Sequence, residues 1–290
     1  MPYTYEKKFA ALISVISNSI LIILKLIAGF LSGSISIISE AVHSTSDLLA
    51  SFLALFAVSK SSEPADEKHQ FGHGKYEDFS GLIEGSLIIG ASIYIIYEST
   101  VKIIERSHAV LNENLGMAVM LFSTVINIIV STYLFRVAKK TDSIALFADA
   151  EHLRTDVYSS FGVFLGLLTI KMTGIHILDP IVAILIAIII FKAGFTICKK
   201  ATYNLLDTTL PQEENKTIIS ILDYYSGLHE IEYKDLKTRK SGIVRQIELT
   251  LLLNPDKTIK EGHMICDEIE NEIERTFANS SYIIHLEPLE

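Results

Sequence analysis

The chain has 290 residues, 49% of them hydrophobic, with a formal net charge of −9 at pH 7. That acidic balance argues against a nucleic-acid partner, which needs a basic face. Cys198 and Cys266 lie far apart and outside any Cys-x-x-Cys spacing, so neither a disulfide framework nor a thiolate zinc site is expected.

Hydropathy divides the chain at residue 204. Before it, long apolar runs alternate with short polar joints; after it, residues 205–290 read as a soluble acidic domain. A membrane helix needs roughly 20 mostly apolar residues. Six runs meet this: 9–31, 35–58, 80–104, 115–137, 143–172 and 177–197. Lys7 and Lys8 precede a first run too long for a signal peptide, which is therefore read as the first span. Lys25 within it is expected to snorkel. Glu84 and Glu98 sit in the third run and Asn127 in the fourth. Lys7, Lys8, Lys60, Lys68, Lys75, Arg136, Lys139, Lys140, Lys199 and Lys200 fall on one side of this arrangement, against Lys102, Arg106 and Lys171 on the other. By the positive-inside rule both termini are expected to be cytoplasmic in a multi-pass membrane protein.

Beyond residue 204 the pattern changes. Residues 211–225 predict a helix opened by Pro211. Residues 230–239 and 244–253 alternate apolar and polar side chains and predict two strands, with a turn at Lys240, Ser241 and Gly242. Residues 257–277 show helical spacing, and 281–286 predict a last strand. The order αββαβ predicts a small two-layer α+β domain.

The chemistry begins with two matched pairs. His43 and Asp47 are four residues apart in the second run; His152 and Asp156 repeat the spacing in the fifth. On a helix each pair lies on one face. Together they offer two imidazole nitrogens and two carboxylate oxygens, a tetrahedral set for a divalent ion such as Zn²⁺. Ionisable groups at membrane depth are costly and point to function. Metal and proton compete for such groups, as an exchanger requires. Glu40 and Asp149, each three residues before its histidine, either line a path to the site or sit at the span's edge. In the joint between the second and third runs, Asp66, His69 and His73 form a possible three-ligand metal site, with Gly72 and Gly74 flanking His73. In the soluble part, His229 at the first strand, Glu248 on the second, His263 in the second helix, and His285 and Glu287 on one face of the last strand have no compact spacing motif to join them.

Taken together, the two His-xxx-Asp pairs, the loop Asp66-x-x-His69-x-Phe71-Gly72-His73-Gly74-Lys75 and the late stretch Ile283-Ile284-His285-x-Glu287-Pro288 resemble the cation diffusion facilitator family of divalent-metal exporters. The resemblance covers nearly the whole chain. It implies a mainly α membrane protein, six transmembrane helices followed by a cytoplasmic ferredoxin-like domain, working as a homodimer that exports Zn²⁺ against protons. It implies metal at the intramembrane quartet, at Asp66, His69 and His73, and at His229, Glu248, His263, His285 and Glu287. It also implies an ion pair between Lys75 and Asp207. The chain departs from bacterial relatives in having His43 where Asp is frequent, and Glu248 and Glu287 where His and Asp are more usual. Imidazole in place of carboxylate favours Zn²⁺ over Mn²⁺; Fe²⁺, Co²⁺, Cd²⁺ and Ni²⁺ are alternatives. A membrane metal sensor is a second reading. A metalloenzyme is disfavoured, since no His-Glu-x-x-His is present and four ligands leave no open zinc position. No nucleotide-binding loop is present either.

Overall fold

Backbone amides that cannot reach water must bond within their own segment, so apolar runs of this length fold as helices. The computed structural model describes residues 4–32, 35–105, 114–173 and 178–289. These residues divide into two compact units, Met1–Thr202 and Tyr203–Glu290.

The first unit holds α1 (Thr4–Ser32), α2 (Ile35–Ser61), α3 (Lys75–Glu105), α4 (Asn114–Thr141), α5 (Ile144–Thr173) and α6 (Leu178–Leu205). Among the described residues, four segments are long and apolar enough to cross a membrane: Thr4–Ala28, Lys75–Val101, Leu121–Thr141 and Pro180–Leu205. α2 and α5, which carry the His-xxx-Asp pairs, are not among the four.

α1 packs on α2 and α4, α4 on α5, and α5 on both α2 and α3. Alanines make much of the seam: Ala10 and Ala11 from α1, Ala57 from α2, Ala138 from α4 and Ala145 and Ala150 from α5 are buried together with Leu134, Leu146 and Leu153. Small residues let helix backbones approach where no hydrophobic force drives them together. The opposite face of α1 exposes Leu12, Ile16, Ile20, Ile23 and Ile27, a stripe at helical spacing. Such a stripe is stable against lipid and costly against water. α3 and α6 touch through glycine: a Cβ on Gly85 would lie 2.7 Å from Cys198 Sγ and 3.1 Å from Gly194 O.

The helix ends are tied by one buried ion pair. Lys7 of α1 and Glu77 of α3 are 2% and 1% exposed, and Lys7 Nζ donates to Glu77 Oε1. The same carboxylate accepts from Ser61 Oγ of α2 at 2.7 Å and from Ser143, which leads into α5. Four segments thus share one carboxylate. Lys25, expected to snorkel, is instead buried, and its Nζ donates to Ser44 Oγ of α2 at 2.6 Å. A partner within the bundle removes the need to reach the interface.

The second unit runs α7 (Gln212–His229), β1 (Glu232–Ser241), β2 (Val244–Leu253), α8 (Ile259–Thr276), β3 (Ser280–Pro288). The sheet order is β1-β2-β3, with β1 antiparallel and β3 parallel to β2. α8 makes the crossover that a parallel pair requires. It starts at a capping box in which Thr258 N donates to Glu261 Oε2 and Glu261 N to Thr258 Oγ1. Ile247, Leu249, Leu251 and Leu253 pack one sheet face against Ile218 and Leu222 of α7 and Ile265, Ile269 and Ile273 of α8. Glu248, Thr250 and Leu252 alternate to the other face. β1 is interrupted between Lys234 and Lys237, where Asp235 takes φ +53°. This bulge keeps Tyr233 and Leu236 both on the core side.

Two boundaries differ from the sequence reading. α7 continues to His229 and closes on Glu230 in the left-handed region (φ 54°), so His229 ends a helix instead of opening a strand. The hairpin turn falls at Gly242 and Ile243, because Lys240 and Ser241 still pair with Arg245 and Val244.

Removing one partner of a buried ion pair strands the other charge, at about 3–5 kcal/mol, whereas replacing both with apolar groups is often neutral. Lys7→Met is therefore expected to lower thermal stability in detergent markedly, and the double variant Lys7→Met with Glu77→Leu to recover most of the loss. Equal stability of the single variant and the parent would show that the pair is not structural.

Candidate metal sites

In the first unit, α2 and α5 bring Asp47 and His152 together. Both are buried, at 6% and 8% exposure. His152 Nε2 donates to Asp47 Oδ1 at 3.2 Å. Two ligand atoms each about 2.0 Å from a tetrahedral ion lie about 3.3 Å apart. This imidazole and carboxylate are thus already at the spacing of two ligands of one ion. Asp156 is half-buried one turn further along α5. His43 lies one turn before Asp47 on α2, and its side chain is outside the described residues.

Residues that the sequence left unremarked support the pair. Ser51 Oγ donates to Asp47 O at 3.1 Å or to Asp149 Oδ1 at 3.0 Å, and accepts from Asn18 Nδ2 at 2.7 Å. Ser14 lies 2.9 Å from the same hydroxyl. A single hydroxyl on α2 thus joins α1, the Asp47 backbone and the α5 carboxylate of Asp149. Asp149 is fully buried inside the bundle. The interhelical serine and asparagine contacts had no marker in a single sequence, since such residues are common throughout membrane helices.

The loop between α2 and α3 brings together its three predicted residues. Ligand atoms of Asp66, His69 and His73 all lie within 4.8 Å of one another. Asp66 Oδ1 caps the loop by accepting from Lys68 N at 2.9 Å and His69 N at 2.6 Å. It also accepts from His69 Nδ1 at 3.2 Å. His73 Nδ1 donates to Pro64 O at 3.1 Å, which turns the Nε2 lone pair towards Asp66 Oδ2, 3.4 Å away. A histidine held by a carbonyl through one nitrogen and presenting the other is the usual arrangement of a metal ligand. Gly72, at φ +81°, makes the reversal that puts His73 back over His69, with ring centroids 4.3 Å apart. Tyr76 packs beside both rings, edge-on to His69 and tilted against His73. The amide of His69, then that of Lys68 and the His69 ring, hold the Asp66 carboxyl below its ordinary value of 3.8.

In the second unit the five predicted residues fall into separate places within one chain. His285 Nε2 lies 3.4 Å from Glu287 Oε1, both on β3. Glu248 faces the same side of the sheet, since it pairs in register with Ile283. Glu287 is also held by Lys234 Nζ at 2.7 Å, which keeps its carboxyl below the usual glutamate value. His229 instead bonds Glu268 Oε2 of α8 at 2.8 Å and stacks on Tyr225. His263 is exposed on α8, 3.4 Å from Asp267 Oδ1. Glu268, Asp267 and Lys234 were not among the expected partners. Asp207 accepts from Arg239 Nη1 at 3.2 Å within its own unit.

The family described as cation efflux transmembrane domain matches residues 11–206, and that described as cation efflux protein, cytoplasmic domain, matches residues 210–289. The chain is 34% identical over 268 residues to a transporter of Synechocystis sp. (sll1263), covering 92% of this chain and 86% of that protein. It is 33% identical over 280 residues to the cation-efflux pump FieF of Citrobacter koseri, covering 96% and 92% respectively. A solved structure of CzrB in its zinc form is 34% identical, with a TM-score of 0.27, and covers 28% of this chain and 90% of that one.

The loop should respond to acid in a set direction. A carboxyl held low when folded contributes stability that is complete above its unfolded value and lost as pH falls through the folded one. Amide protection at Lys68 and His69, followed by hydrogen exchange, is therefore expected to persist at pH 4 and to fail only in stronger acid. Asp66→Asn should lose it at every pH. Protection already failing above pH 5 would contradict this.

Proposed function

Because the chain belongs to the cation diffusion facilitator family, whose members are transporters and not enzymes, we propose that it exports a divalent transition metal, zinc first, from the cytoplasm in exchange for protons. The observation that carries this reading is the Asp47–His152 contact across α2 and α5. With no metal bound, a proton would hold that contact. A divalent ion must displace it, because a metal-bound imidazole nitrogen cannot also hold a proton. One cation leaves the site as the other enters, and that is the elementary step of an antiporter. His43 and Asp156, a turn to either side, complete the proposed quartet. Two imidazoles and two carboxylates suit Zn²⁺ better than Mn²⁺. Fe²⁺, Cd²⁺ and Co²⁺ are the competing cargoes.

The reading takes all six long helices as spans. α2 and α5 would enter the membrane with their polar residues turned inward, as ionisable groups in membrane proteins do. The lysines of the helix ends, Lys7, Lys60, Lys75, Lys139 and Lys140, support a cytoplasmic placement of both termini and of residues 205–290. The loop triad would receive metal beside this face. Glu248, His285 and Glu287 on the open sheet face would bind metal in a homodimer, and His229 and His263 would join them only from elsewhere in the assembly. In the same assembly Lys75 and Asp207 are proposed to pair.

Zinc flux into proteoliposomes under an imposed pH gradient tests the proposal. Asp47→Ala and His152→Ala should each abolish flux while the protein keeps its elution profile. His73→Ala should only slow it. Parental flux in either of the first two variants would remove the site; flux indifferent to the gradient would remove the proton coupling. A panel of Zn²⁺, Fe²⁺, Cd²⁺, Co²⁺ and Mn²⁺ decides the cargo.

A further inference from the structure

On the open face of the sheet, the second unit brings lysines of β1 to the carboxylates of β2 and β3. Lys234 pairs in register with Thr250 of β2, which pairs with His285 of β3. Register partners share a face, as do residues two apart on one strand, so Lys234, Thr250, His285 and Glu287 lie side by side. Glu287 uses both oxygens there: Lys234 Nζ is 2.7 Å from Oε2, and His285 Nε2 is 3.4 Å from Oε1. Glu248 has a neighbour of the same kind, since Lys237 is its register partner on β1. Lys237 and Glu248 also line one cavity of about 440 Å³, together with Arg239 and Gln246. Lys234 and Lys237 are three apart and would face opposite sides of a regular strand. The bulge between them changes this: a step of three residues on β1 matches a step of two on β2, which returns both lysines to the open face. Both are exposed there.

Glu248, His285 and Glu287 are the residues proposed above to take metal on this face. One imidazole and two carboxylates fit a divalent ion. What opposes the ion is the tethered ammonium. A dication held by Glu287 and His285 would stand beside Lys234, and like charges at that range repel. We propose that Lys234 competes with metal for Glu287, so that the sheet face loads only as metal displaces the ammonium. The inference rests on the reading that this face binds metal, and it names the side chain that sets the threshold. The loop triad is built differently. There Asp66 is held by the amides of Lys68 and His69 and faces two imidazoles, groups that carry no fixed positive charge. An exposed lysine–carboxylate pair shifts an equilibrium by roughly fivefold at most, and repulsion of the dication adds to this. The effect is to keep the second unit free of metal until the free ion is abundant.

Ring NMR of labelled histidine in the full-length protein in detergent, titrated with buffered free Zn²⁺ at fixed pH, reads each site by itself. His285 is identified as the signal lost in His285→Gln, and His73 as the signal lost in His73→Gln. Lys234→Met keeps the length of the stem and removes the charge. It is expected to lower the Zn²⁺ midpoint of His285 about five- to tenfold and to leave that of His73 unchanged. Lys234→Arg keeps a cation in place and should hold the His285 midpoint within about twofold of the parent. A parental His285 midpoint in Lys234→Met overturns the competition and leaves metal on the sheet face. An equal shift at His73 also overturns it, because the substitution would then act on the whole protein. A His285 signal that Zn²⁺ moves in neither the parent nor Lys234→Met overturns the reading of metal on this face, and the competition with it.

Discussion

A buried carboxylate against a buried imidazole, held between two helices where water is scarce, is the constraint from which the first unit follows. Neither group can be left charged and alone when buried. Something positive must sit between them, and the 3.2 Å from His152 Nε2 to Asp47 Oδ1 suits either a proton or a divalent ion. The bundle is arranged to keep this contact in register. Alanines along α1, α2, α4 and α5 bring backbones close, and serine and asparagine hydroxyls and amides satisfy the polar atoms that result. The buried Lys7–Glu77 pair fastens α1, α2, α3 and the start of α5 at their common end.

Much of this was legible in the sequence. The apolar runs announced all six helices of the first unit, because a hydrophobic stretch without water has no other way to satisfy its backbone. The repeated His-xxx-Asp spacing pointed to a candidate site, because helical periodicity puts such residues on one face, and of its four residues the structure brings Asp47 and His152 together. The loop triad was legible for a local reason too: Asp66, His69 and His73 are near neighbours in sequence, and a glycine reversal suffices to gather them. What the sequence hid were long-range pairings. Glu77 falls in the polar joint ahead of the third run, and only the fold shows that Lys7, seventy residues earlier, reaches it. Lys25 looked like a snorkelling lysine because nothing local told of Ser44.

In the second unit the pattern of alternation yielded the strands, while the boundary at His229 was missed. The helix predicted over 211–225 in fact runs on until Glu230 closes it in a left-handed cap. That shift of a few residues moves His229 from the sheet to the helix layer, where Glu268 takes it. The dispersed histidines and glutamates accordingly form two groups in one chain, one on the open face of the sheet and one along α8. Their separation is a physical statement about the monomer: metal shared by all five requires a second copy.

The most direct measurement is diffraction at the zinc absorption edge from crystals of the full-length protein grown with Zn²⁺. The account predicts an anomalous peak between α2 and α5, about 2.0 Å from both Asp47 and His152. Zinc found only in the loop and the second unit, with Asp47 and His152 still in direct contact, would contradict it.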